Sequence, residues 1–127
     1  MSKGKITPIG KKNPNLPFHP AVQAGDYIYI SGQVAKDENG KMVYGSIEEE
    51  TRATIEAIRR ILKLVDADLD DLCKVTVYLE DARNFGRYNG VFKEFFPEGN
   101  VSRTTVEARA AIETKIEMDA VAYVPQD

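Results

Sequence analysis

The spacing of hydrophobic positions changes several times along the chain, and each change marks an element. The clearest stretch opens at Ser46-Ile47-Glu48-Glu49, with Ser at the N-cap and Glu three residues on, which is a capping-box pattern. Apolar or semi-apolar residues then fall at Ile47, Thr51, Thr54, Ile55, Ile58, Ile61, Leu62 and Val65. Spacings of three and four predict an amphipathic helix of about five turns with one buried face. Phe85, Tyr88, Phe92 and Phe95 repeat the helical spacing and predict a second, aromatic-faced helix over 81–96. Pro97 and Gly99 stop it.

Elsewhere the period is two. Gly25-Asp26 turns the chain into Tyr27-Ile28-Tyr29-Ile30-Ser31, an aromatic and β-branched run that reads as a strand. It ends in Ser31-Gly32-Gln33, where the glycine permits a bulge or a close backbone approach. Asn39-Gly40 suits a type I′ hairpin turn, with a return strand over 41–44. Over 72–79, Cys73, Val75, Val77 and Leu79 alternate with Leu72, Lys74, Thr76 and Tyr78. The first set is expected to face the core, which makes Cys73 a buried small hydrophobe. Two further strands carry Arg103, in Val-Ser-Arg-Thr-Thr-Val-Glu, and Glu117, which alternates with Ile116 and Met118. Residues 1–20 hold four of the six prolines and read as an extended segment with a short strand over 5–8. About six strands and two helices predict an α+β sandwich with the helices on one sheet face. The sets Val101, Arg103, Thr105, Glu107 and Ser102, Thr104, Val106 are both only weakly apolar. A sheet face of that kind is expected to meet another subunit or a ligand.

A chain of 127 residues, 43% hydrophobic, is one ordinary domain able to bury a core. A net charge of −3 with well-mixed signs gives no electrostatic reason to expect nucleic-acid binding. Lys3, Lys5, Lys11 and Lys12 form a basic cluster that reads as a solvated arm. One cysteine permits no internal disulfide, no apolar h-region opens the chain, and no apolar run approaches the length of a membrane span. These features point to a cytoplasmic globular protein with no membrane partner. One His and one Cys supply no zinc site, and no metal is expected. No glycine loop of a phosphate-binding type is present, and Ser31-Gly32 is no nucleophile elbow. His19, between Phe18 and Pro20, reads as a loop or interface residue. Arg103 and Glu117 remain. A guanidinium matches a carboxylate with a planar fork, and a Glu serves as base or water-orienting group. On pattern alone the two are either a site or an ordinary cross-strand ion pair worth about 0.2–1 kcal/mol. Asn89, polar on the aromatic helix, is either exposed or part of that site.

Pro17-Phe18, Ile30-Ser31-Gly32-Gln33, Asn89-Gly90-Val91-Phe92-Lys93-Glu94-Phe95-Phe96, Ser102-Arg103-Thr104-Thr105-Val106-Glu107 and Ile116-Glu117-Met118 together resemble the Rid (RidA/YjgF) family over nearly the whole chain. The resemblance implies a single domain over 1–127 with a chorismate-mutase-like α+β sandwich. Its sheet of about six strands is mostly antiparallel, with two helices on one face. It also implies a homotrimer with sites between subunits and no cofactor. The implied activity is that of a 2-iminobutanoate/2-iminopropanoate deaminase. Such an enzyme hydrolyses 2-imino acids and their enamine tautomers, such as 2-aminoacrylate, to 2-keto acids and ammonia. By the same resemblance Arg103 holds the substrate carboxylate and Glu117 serves the water, while Phe18, Ser31, Gly32, Asn89 and Thr105 line the pocket. The chain departs from the family pattern at Phe18, where Tyr is common, at Thr105, where Cys is common, and at Val101, where Pro or Ala is usual. A non-catalytic or regulatory small-carboxylate binder, and the endoribonuclease or translation-inhibitor role attached to the family, are the alternatives. The charge balance speaks against the latter.

Overall fold

The computed structural model describes residues 4–126, so Lys3 of the basic cluster lies outside the described residues. Six strands form one sheet: β1 (Thr7–Ile9), β2 (Ala21–Ala24), β3 (Tyr27–Val34), β4 (Leu72–Leu79), β5 (Ser102–Glu107) and β6 (Ile116–Tyr123). Their order is β1-β2-β3-β6-β4-β5. Every pairing is antiparallel except that of β4 with β5. Helix α1 (Ile47–Lys63) connects β3 to β4, and helix α2 (Phe85–Phe95) connects β4 to β5. Strands β3 and β4 both run antiparallel to β6, so they are parallel to each other and need the helical crossover. The last strand inserts between them at the centre of the sheet.

Helix α1 starts as the sequence pattern requires. Ser46 Oγ accepts from the Glu49 N–H at 3.1 Å, and Glu49 Oε1 accepts from the Ser46 N–H at 2.9 Å. Ile47, Ile55, Ile58 and Leu62 are buried against Ile28 and Ile30 of β3, Val75 and Val77 of β4, and Met118 and Ala120 of β6. Tyr88 and Phe92 of α2 join the same core, so both helices cover one sheet face. The opposite face carries Tyr27 and Tyr29 of β3, Tyr78 of β4, Val106 of β5, and Glu117, Asp119 and Tyr123 of β6. Tyr27, Tyr29, Val106 and Tyr123 are exposed there.

Three expectations are corrected. Residues 41–44 form no strand: Asp37 Oδ1 accepts from the N–H groups of Asn39 and Lys41, which closes a tight turn and leaves one bridge, Lys36 to Met42. The sixth strand is instead β2, a short Ala-Val-Gln-Ala run joined to β3 through Gly25, whose φ of +62° favours glycine. The N-terminal strand sits at Thr7–Ile9 rather than at 5–8. Cys73 is exposed, not buried: the β4–β6 register shifts between Leu72 and Lys74, so Leu72 takes the core position and Cys73 turns outward.

Candidate functional site

The residues that the sequence nominates for a site fall into two groups. On β5, Arg103 and Thr105 pair with Val75 and Val77 of β4, both buried under the helices, so their side chains turn towards α2. Helical spacing brings Phe85, Tyr88 and Phe92 into one shelf beneath the guanidinium. Arg103 Cζ lies 5.6, 5.2 and 4.7 Å from their ring centroids. Asn89, next along the same helix, accepts from Arg103 Nη1 at 2.8 Å. Arg103 has no carboxylate partner among the described residues. Its remaining N–H donors open onto a cavity of about 350 Å³ lined by Asn89, Phe92, Lys93, Phe96, Gly99 and Val101. Thr105 shares a 2.5 Å hydrogen bond with the hydroxyl of the fully buried Tyr88, whose pKa is pushed up by that burial.

The second group sits on the opposite face. A bulge in the β3–β6 pairing falls between Ile30 and Gln33 and releases Ser31 and Gly32 from the ladder. Ser31 is tied back to the N-terminal segment. Its N–H donates to the Pro20 carbonyl at 2.9 Å and its Oγ to the His19 carbonyl at 2.8 Å. Phe18 is half exposed there, beside a second cavity that Tyr29 and Ser31 also line. Glu117 packs directly against Gly32, where any Cβ would lie 2.1 Å from Glu117 Oε2. That contact, rather than a left-handed φ, is what glycine at position 32 permits: any side chain there would have to push the Glu117 carboxylate aside. Glu117 accepts no hydrogen bond and forms no ion pair among the described residues. Burial, with the charge of Asp119 adding to it, raises its pKa above the ordinary carboxylate value. Tyr78, opposite Glu117 in the ladder, donates instead to Asp119 Oδ2 at 2.8 Å.

Arg103 and Glu117 are therefore not neighbours. Strand β4 stands between β5 and β6, and the two side chains leave opposite faces of the sheet. The cross-strand ion pair weighed from the sequence pattern does not form. One chain brings together Arg103, Asn89 and Thr105 on one side, and Phe18, Ser31, Gly32 and Glu117 on the other. The helical spacing predicted Tyr88 and Phe92 on one aromatic face, but not their hold on Arg103. The successive spacings of three and four from Phe85 to Tyr88 to Phe92, with Asn89 inside the run, were the available signal. Glu50 was missed as well. That buried carboxylate accepts from the N–H of Lys115 (2.9 Å), Lys115 Nζ (3.1 Å), Thr114 Oγ1 (3.3 Å) and the N–H of Gly45 (3.1 Å), anchoring the start of β6 just before Glu117.

Comparison with known proteins gives this arrangement a family. The model of the family described as Endoribonuclease L-PSP matches residues 10–124. A RutC family protein of Pyrococcus abyssi is 39% identical over 125 residues, covering 97% of this chain and 98% of that one. The 3-aminoacrylate deaminase RutC of Acinetobacter baylyi is 32% identical over 126 residues, 98% of this chain and 100% of that one. Mmf1 of Saccharomyces cerevisiae, named as mitochondrial, is 30% identical over 106 residues, 83% of this chain and 73% of that one. The crystal structure of yeast Mmf1 matches with a TM-score of 0.87 at 27% identity, covering 96% of this chain and 100% of that one. The protein is an α+β sandwich of the chorismate-mutase-like type. The chain belongs to the Endoribonuclease L-PSP family, also called the Rid or YjgF family. No helix among the described residues is long and apolar enough to cross a membrane.

Proposed function

We propose that this chain is a hydrolytic deaminase of 2-imino acids and enamines such as 2-aminoacrylate, of the 2-iminobutanoate/2-iminopropanoate deaminase type. It works as a homotrimer with its sites between copies and with no cofactor. The observation that carries the reading is Arg103: its guanidinium is oriented by Asn89 and an aromatic shelf, has no carboxylate partner among the described residues, and faces a cavity. Such a group suits the carboxylate of a ligand, which it holds by paired hydrogen bonds. The substrate carbon needs little activation, because an imine conjugated to a carboxylate is already electrophilic. Positioning it against water is the main task. Glu117, unpaired and with a raised pKa, suits the role of orienting or deprotonating that water. Water oxygen bonds to C2, the C–N bond breaks, and ammonia leaves with no change of oxidation state. Backbone groups beside Gly32 and Thr105 offer donors to the tetrahedral centre.

A single chain keeps Arg103 and Glu117 on opposite faces, so a complete site needs the Glu117 face of a second copy. The exposed Tyr27, Tyr29 and Tyr123 on that face suit such a contact. The relationship to a 3-aminoacrylate deaminase supports the chemistry. A cytoplasmic location belongs to this proposal, and cell fractionation decides it against the mitochondrial naming of Mmf1. To test the activity, 2-aminoacrylate is generated from serine by a dehydratase and keto-acid release is followed with and without the protein. Acceleration that Arg103→Ala abolishes is expected. No acceleration, or equal acceleration by the variant, overturns the reading. Thermal protection by keto acids without turnover would establish a carboxylate binder instead.

A further inference from the structure

The cavity in front of Arg103 carries a second cation that the deaminase reading does not use. Lys93 lies four residues beyond Asn89 on α2, one turn along the same face, and lines the cavity with Arg103. Among the described residues Lys93 forms neither a salt bridge nor a hydrogen bond. Its acidic neighbours are otherwise placed: Glu94 binds Arg52 at 2.7 Å, and Glu98 lines an adjacent depression with Leu69 and Asp70. Among the described residues no carboxylate lines the Arg103 cavity. Two cations without counter-ions therefore face one space of about 350 Å³, in a chain whose net charge is −3. Two positive charges on a small concave site favour a ligand with two separated negative charges over one with a single charge. Their chemistry is not interchangeable. Arg103 is fixed, planar and able to grip a carboxylate with two bonds, whereas Lys93 is an exposed point charge on a flexible stem, able to follow a group of variable reach.

We infer that the preferred substrates are 2-imino dicarboxylic acids of four or five carbons. Arg103 holds the carboxylate next to the imine, and Lys93 holds the carboxylate at the far end. This inference rests on the deaminase reading and names the substrate class of the same site. The second carboxylate takes no part in the reaction: water adds at C2, ammonia leaves, and a 2-keto dicarboxylate is released.

The test compares 2-iminosuccinate with 2-iminopropanoate, made in place from aspartate and alanine by flavin-dependent amino-acid oxidases. Keto-acid release is measured above the uncatalysed rate. The wild-type protein is expected to favour the dicarboxylic imine. Lys93→Ala is expected to lower the dicarboxylic-to-monocarboxylic specificity ratio about tenfold, as loss of one charge-assisted contact in a cleft does. Lys93→Glu is expected to lower it further, by adding repulsion. Turnover of both imines with a ratio unmoved by either variant overturns the inference and leaves the deaminase reading standing. Turnover of neither imine overturns the deaminase reading. Thermal protection by stable 2-keto acids with one or two carboxylates then decides the remainder. Stronger, Lys93-dependent protection by 2-ketoglutarate than by pyruvate supports two-carboxylate recognition, and equal protection overturns it.

Discussion

At the scale of single residues the tightest constraint is the contact between Gly32 and Glu117. A methyl group at position 32 would sit 2.1 Å from Glu117 Oε2, so Gly32→Ala must displace the carboxylate. The bulge does not depend on a left-handed φ at this position, and the displaced atom ends a flexible side chain, so folding should survive. Under the proposed mechanism the misplaced carboxylate lowers kcat on the order of a hundredfold. Steady-state kinetics beside an unchanged circular dichroism spectrum check this. The raised pKa of Glu117 makes a second prediction. Burial favours its protonated form, so Glu117 contributes most to stability below its unfolded pKa, near 4.5, and that contribution is lost as pH rises through the higher folded value. Removing the titration with Glu117→Gln should therefore raise the melting temperature relative to wild type at pH 7 and leave little difference at pH 3.5. In the opposite sense, wild-type deaminase activity should rise with pH as the carboxylate ionises, with a midpoint above the ordinary carboxylate range. A pH profile of kcat/KM reads that midpoint. Both residues were legible in the sequence, Gly32 as a point of close backbone approach and Glu117 as an acid alternating with Ile116 and Met118. What the Glu meets was not legible, because alternation assigns a face to a residue and not a neighbour. Cys73 shows the same limit, since one bulged position sent it to the wrong side.

At the scale of elements, the entry to β6 depends on α1. Glu50 is a buried carboxylate that holds Thr114 and Lys115, and through them the start of the strand that carries Glu117. Truncating it leaves the Lys115 N–H and the Thr114 hydroxyl without that acceptor in a buried place. Glu50→Ala should cost about 2–4 kcal/mol in urea denaturation. Glu56→Ala on the same helix, which loses only a half-exposed pair with Arg59, should cost under about 1 kcal/mol. Equal losses would show that Glu50 is no anchor. Helix α1 itself was legible, since its capping box and three-four spacing depend on local sequence alone. Strand β2 was not, because Ala-Val-Gln-Ala after a proline-rich run carries a weak strand signal and forms through pairing with β1 and β3. The turn at Asp37 was misread for a related reason. Asn39-Gly40 promises a hairpin, but the Asp37 side chain takes the Lys41 N–H as well as that of Asn39, and the pairing goes no further than the Lys36–Met42 bridge.

At the scale of the whole molecule the sheet order separates the site. Because Arg103 is in register with Val75 of β4 and Glu117 with Tyr78 of the same strand, the two leave opposite faces however the loops move, and the sheet order puts β4 between them. Strands adjacent in sequence suggested neighbours, and only long-range pairing could show otherwise. The separation makes the oligomer testable through chemistry. Arg103→Ala and Glu117→Ala should each be inactive alone, one lacking the carboxylate grip and the other the water-orienting acid. If each site takes Arg103 from one copy and Glu117 from the next, mixed assemblies contain sites with both residues intact. Random one-to-one mixing in a closed ring leaves about a quarter of the sites whole, because each of the two contributing copies has an even chance of carrying the needed residue. Co-refolding the two inactive proteins should thus restore about a quarter of wild-type activity. Mixing without subunit exchange should restore none, which guards against trace wild-type protein. If instead both residues of a site came from one chain, no mixture of the two variants would contain an intact site, and co-refolding would leave the activity at the level of the separate variants.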